Sequence, residues 1–130
     1  MKKLSQIQIK AVTALAGPKR YAHFIKRVAD EEQVWGLYSE GWALAGLNDT
    51  QQTVFPVWPA KEYAELCVQA DWQDYEPRSI DLSAFMQDII PDLEKKGILP
   101  CIFYLPNNQG VTPSIKQLLD DLNTELSRYE

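Results

Sequence analysis

Few residues in this chain have the types and spacing that chemistry requires. His23 is the single histidine, with Arg20 and Arg27 beside it at helical spacing. A general base or metal ligand needs an orienting carboxylate or further ligands within reach, and no neighbour at helical spacing supplies one. His23 therefore reads as a surface histidine. Arg20 and Arg27 could clamp a carboxylate or another anion, because a guanidinium offers paired donors to an oxyanion. The competing reading is a solvated face on which they pair with Asp30 or Glu31. Cys67 and Cys101 are the only cysteines. They lack Cys-x-x-Cys spacing and fall in apolar segments, so they read as reduced core thiols. Asp71, Asp74 and Glu76 share an acidic loop, but without the glycine and terminal glutamate of a calcium loop. Neither Gly17 nor Gly110 opens a phosphate-binding motif. No catalytic residue, metal site or cofactor is expected.

Aromatic residues are the other candidates. The stretch from Trp35 to Cys67 holds three of the four tryptophans, a glycine-punctuated hairpin, and two prolines bracketing Val57-Trp58. Stiff aromatic side chains on a proline-held segment lose little freedom on binding. Packing in the core is the rival reading for each tryptophan. If a surface here recognises a partner, it is expected at Arg20, Tyr21, Trp35 and Trp58. The tryptophans would give apolar contact there, and the arginine and tyrosine would orient the partner.

These residues must be positioned by one domain. The chain has 130 residues, 45% hydrophobic and 24% charged, which suits one globular unit with a real core. A net charge of −5 and a pI near 4.9 argue against binding nucleic acid or an anionic membrane through a basic face. Lys2 and Lys3 precede apolar residues in the manner of a leader. Ser5, Gln6, Gln8, Lys10 and Thr13 interrupt that run, and a cytoplasmic protein is expected.

Along the chain, Ser5 caps a first helix running to about Leu15, and Gly17-Pro18 stops it and starts a second. Tyr21, Phe24, Ile25 and Val28 form the apolar stripe of that second helix, with Arg20, His23 and Arg27 along its edge. Runs 34–38 and 42–45 form a hairpin through Ser39-Glu40-Gly41, with the glycine expected in the left-handed conformation. A polar loop follows over 48–52, and 53–58 reads as a third strand. Pro56 marks that strand as an edge, as bulged, or as cut short. A one-sided helix is expected over 60–70, with Ala60, Tyr63, Ala64, Leu66, Cys67 and Ala70 inward.

A short strand at 79–82 leads to a helix capped by Ser83. Leu82, Phe85, Met86, Ile89, Ile90 and Leu93 line its inner face, Pro91 bends it, and Gly97 stops it. The run ILPCIFYL over 98–105 is apolar enough for the sheet centre, with 102–105 as the central strand. Residues 107–110 form a turn, and Thr112-Pro113 opens a last helix burying Ile115, Leu118, Leu119, Leu122, Leu126 and Tyr129. An α+β fold follows: a small twisted, mainly antiparallel sheet with helices packed on it, as a single domain over 1–130.

An ordered set of words in this chain resembles a known family. They are Arg20-Tyr21, Val28-Ala29-Asp30, Trp35-Gly36-Leu37, Gly41-Trp42-Ala43-Leu44, Phe55-Pro56-Val57-Trp58-Pro59, Asp71-Trp72, Ile102-Phe103-Tyr104 and Glu125-Leu126 with Tyr129. Together they resemble the bacterial proteins grouped as domain of unknown function 2750. The resemblance implies a bacterial origin and no activity. The residues themselves favour a non-catalytic interaction or regulatory module acting on a protein partner, with a homodimer among the possible forms. The alternative is a binder of a small anionic ligand, or an enzyme, using a pocket between the hairpin–strand unit and the Arg20–Arg27 helix.

Overall fold

Ser5 accepts a hydrogen bond from the Gln8 N–H, and the Gln8 side chain accepts one from the Ser5 N–H. This reciprocal capping box starts helix α1 (Gln6–Thr13). The computed structural model describes residues 4–46, 52–69, 72–106 and 110–128. Helix α2 (Gly17–Glu31) restarts the chain with Pro18 in its first turn, where a missing N–H costs nothing. Phe24, Ile25, Val28 and Ala29 form its buried stripe.

Strand β1 (Gln33–Tyr38) pairs antiparallel with β4 (Glu76–Asp81). A second sheet has β3 (Thr53–Val57) between β2 (Ala45–Gly46), antiparallel, and β5 (Leu99–Ile102), parallel. Trp35 and Trp58 join the two sheets by exchanging both backbone hydrogen bonds, at 2.9 and 2.8 Å. The fold is α+β, with helices packed on these small antiparallel and mixed sheets.

Two strand expectations are corrected. Pro56 stands in the middle strand of its sheet, not on an edge. Peptide groups alternate sides along a strand, so Pro56 turns its N-side the way Trp58 does, toward β1 and β2. On that side β2 is in register at Thr53 and Val54 and β1 bonds at Trp58. The proline falls between these pairings, where no donor is needed. The same alternation places the missing N–H of Pro77, which faces Leu37 across β4, on the outer edge of that strand.

The central strand expected at 102–105 is instead β5, which ends at Ile102 and lies beside β3. The outer side of β5 is closed where Ile102 exchanges backbone bonds with Val111. Phe103 leaves the strand at φ 60, with its N–H still bonded to Val57 O at 2.9 Å. The apolar character of 103–105 thus reflects a buried loop. Phe103 packs edge-on against Tyr63 with ring centroids 4.7 Å apart.

The helix expected over 60–70 is a single short α3 (Lys61–Glu65), after which tight turns carry the chain inward at Cys67. Tyr63, Ala64 and Cys67 are buried as expected, but Leu66 is 40% exposed. Ala70 lies outside the described residues. Pro91 does not merely bend its helix. The run begins as α4 (Leu82–Ala84), with Asp81 rather than Ser83 at the cap position, and widens into a π turn (Phe85–Ile89). It continues as α5 (Ile90–Lys96). In the π turn Ile90 N–H bonds Phe85 O, five residues back, and this widening makes room for the ring of Pro91, which has no N–H to donate. Gly97, at φ 71, ends α5, and Ile98 N–H closes back on Leu93 O at 2.9 Å.

Ser114, not Thr112, caps α6 (Ile115–Ser127), accepting from Gln117 N–H at 3.0 Å. Leu118 and Leu122 are fully buried along it, and Lys116 pairs with Asp120 at 2.8 Å on its exposed side. The hairpin's left-handed residue is Glu40 (φ 59), not Gly41. Most of the polar loop at 48–52, most of the turn at 107–110, and Tyr129 lie outside the described residues.

Candidate functional site

Arg20 is a buried residue, 6% exposed, and not the edge cation expected of it. Its Nη1 donates to Leu15 O at 2.6 Å, satisfying a carbonyl left open where α1 ends. Tyr21 donates its hydroxyl to Asp121 Oδ2 at 2.6 Å, clasping α2 to α6. Burial first, then this bond and the Asp121 charge, raise the Tyr21 pKa well above its ordinary range.

His23 is half-buried instead of lying on the surface, because α2 turns it toward Tyr63 and Phe103, each with ring centroids 6.3 Å away. Burial first, and the Arg27 charge second, hold its pKa below the usual range, so the imidazole is neutral at pH 7. Arg27 meets Glu31 at 3.4 Å, the pairing expected on a solvated face.

The tryptophans divide by role. Trp58 is 0% exposed, and its indole N–H donates to Tyr104 O at 2.7 Å. Its ring meets Trp72 edge-on at 6.5 Å. It is a core side chain with no face left for a partner. Trp35 is half-buried and contributes its backbone to the junction between the sheets. Of the four residues expected to form one contact surface, Arg20, Tyr21 and Trp58 each direct a polar atom to another part of the chain.

The thiols are enclosed. Cys67 lies beside Tyr104 O, its Sγ 3.4 Å away, and Cys101 is fully buried beneath Gly110. Burial is the main reason both pKa values rise, from 9.0 to about 12. At neutral pH both are protonated and poor nucleophiles. The unfolded chain would release these protons near 9.0 while the fold keeps them to about 12. Their stabilising contribution is therefore intact below the lower value and lost as pH climbs between the two. Urea midpoints should fall with alkaline pH more steeply in the wild type than in Cys67→Ala/Cys101→Ala. Parallel curves would contradict the burial of the thiols.

Gly110 shows how closely Cys101 is covered. A Cβ at this glycine would run into Cys101 Sγ and would also meet Tyr104 Cα at 3.4 Å. Gly110→Ala should cost about 1–3 kcal/mol by overpacking. Adding Cys101→Ala should return part of that loss, a coupling readable in a double-mutant cycle. Strict additivity of the two changes would show that they do not touch.

One group that the sequence reading did not assemble lies on the hairpin. Trp42 stands over Gly36, where a Cβ would meet its ring at 3.0 Å. It packs edge-on to Tyr38 at 5.0 Å and tilted to Phe55 at 6.0 Å. The Arg78 guanidinium lies 3.8 Å above the Tyr38 ring centroid, a cation–π contact across the β1–β4 pair. Nearby in sequence, Leu44 is 45% exposed. Gly41-Trp42 was visible as a hairpin word, but Arg78 joins it only through the register that sets Gly36 opposite Arg78.

Among the described residues, no group of three or more His, Cys, Asp or Glu side chains is placed to hold a metal ion. One family model matches residues 21–122, that of Protein of unknown function (DUF2750). No curated protein and no solved structure matches the chain.

Proposed function

The chain belongs to the DUF2750 family, and from that premise we propose that it is a non-catalytic interaction or regulatory module of the bacterial cytoplasm, recognising a protein partner through its hairpin face. The observation that carries this reading is the Tyr38–Trp42–Arg78 stack, with exposed Leu44 two residues on from Trp42 in the chain. An aromatic pair and an arginine already held against one another lose little freedom when a partner covers them. Tyrosine, tryptophan and arginine are also the residue types that dominate interface energetics. Arg20, Tyr21, Trp35 and Trp58 enter this proposal as the frame that holds the hairpin and helices in place. The protonated thiols support a binding role over one that needs a reactive thiolate. For the cytoplasmic part of the reading, the support is cysteine usage: two cysteines in apolar segments suit core thiols better than the disulfide framework of a secreted domain. Among the described residues, no helix is long and apolar enough to cross a membrane.

A photo-crosslinking amino acid at position 44, introduced into the protein in its host, tests the proposal. A discrete adduct is expected there and not from the same group at exposed Lys95. Reverse charge at Arg78 (Arg78→Glu) should abolish the adduct while leaving the melting temperature within a few degrees. Identical adduct patterns at positions 44 and 95 would sink the reading. A second copy of the chain as the captured partner would define the module as a homodimer.

A further inference from the structure

Three nitrogens along one stripe of α2 stand out: Arg20 Nε, His23 Nε2 and Arg27 Nε are buried and have no hydrogen-bond partner among the described residues. Positions 20, 23 and 27 recur at the spacing that stacks side chains on one helix face, within about 10 Å of helix rise. Each guanidinium is anchored at its far end, Arg20 to Leu15 O at 2.6 Å and Arg27 to Glu31 Oε1 at 3.4 Å. The imidazole between them is oriented by the rings of Tyr63 and Phe103. Two fixed cations and an imidazole thus share one stripe in a chain whose net charge is −5. Buried polar atoms of this kind are normally satisfied, and the charged guanidinium donors most strongly call for an acceptor.

We propose that this stripe is a recognition site for a small oxyanion, a phosphate or carboxylate group, and that Glu31 holds the place the ligand takes on Arg27. The Glu31 contact is long for a charge-assisted bond, and the two side chains remain 34% and 19% exposed, for Glu31 and Arg27 respectively. An arriving oxyanion exchanges one carboxylate for another at the accessible end and, as Arg27 is released from Glu31 and turns, reaches Arg27 Nε and the neighbouring His23 Nε2. The charged and titratable groups facing His23 are Arg27 on its own helix and Tyr63 on α3. The site is separate from the hairpin face, and either can fail without the other.

The single histidine makes the test direct, because its ring resonances need no assignment among rivals. His23 is titrated by NMR at constant ionic strength, in chloride alone, with added inorganic phosphate, and with added succinate. A saturable shift and a raised His23 midpoint are expected with one of the two anions, and that anion names the source. Glu31→Gln should tighten binding several-fold by removing the competitor, and Arg27→Ala should weaken it by tenfold or more. No saturable change with either anion would overturn the site. So would a response unchanged in Arg27→Ala. Binding that Glu31→Gln leaves unaltered would overturn the placeholder role while leaving the site.

Discussion

Trp58→Ala is expected to cost about 3–5 kcal/mol of folding stability, the range for emptying a large aromatic site in a core. Trp58 is fully buried, and it meets the chain in three ways at once. Its backbone joins the two sheets through Trp35, its indole N–H bonds Tyr104 O at 2.7 Å, and its ring packs edge-on against Trp72. Alanine preserves only the first of these. Trp58→Phe separates the remaining two, since it keeps an apolar ring but loses the indole donor. The Cys67 thiol stays beside Tyr104 O as a weak donor, so the loss should be nearer 1 kcal/mol than the full cost of an orphaned acceptor. Urea unfolding followed by far-ultraviolet circular dichroism measures both. An alanine variant within about 1 kcal/mol of wild type would mean that this side chain is not enclosed as described.

Leu122→Ala should cost about 2–5 kcal/mol, from lost burial and the cavity left behind. Leu122 lies fully buried on α6, one position from Asp121, which accepts the Tyr21 hydroxyl bond from α2. That bond and the leucine stripe hold the two helices in one arrangement, which limits how far the site can collapse. Lys116→Ala on the exposed side of the same helix is the comparison, expected within about 0.5 kcal/mol because solvated pairs contribute little. Equal losses at the two positions would refute the orientation of α6.

Most of the local structure could be read from the residues, because local signals are set by near neighbours. Ser5 at a cap, Pro18 in a first turn, Gly97 at a stop and the leucine spacing of α6 all act within a few residues, and each helix forms where those signals lie. The Lys116–Asp120 pair belongs to the same class, since one turn of helix brings the two together. The same holds for the α+β class and for the family words, which lie in order along the chain.

What the residues alone could not decide is which segments become neighbours. Pro56 read as the mark of an edge, a bulge or a shortened strand, because a strand proline lacks a donor. Only the tertiary pairing showed that β1 and β2 leave a gap opposite it, so a central strand tolerates the proline. The run at 98–105 read as a central strand because burial and pairing look alike in sequence, and the turn at Phe103 separates them. Arg20 read as a surface cation, but Leu15 O lies within reach of its guanidinium once α1 and α2 meet. Trp58 and Trp42 carry the same side chain, and packing in the core was the rival reading for each. One is enclosed and the other stands over Gly36 on the hairpin, a difference made wholly by what the fold lays against each. Helical periodicity and capping are short-range and so are written in the chain. Enclosure, register and the juxtaposition of Arg78 with Tyr38 depend on contacts between distant segments, and those only the folded molecule decides.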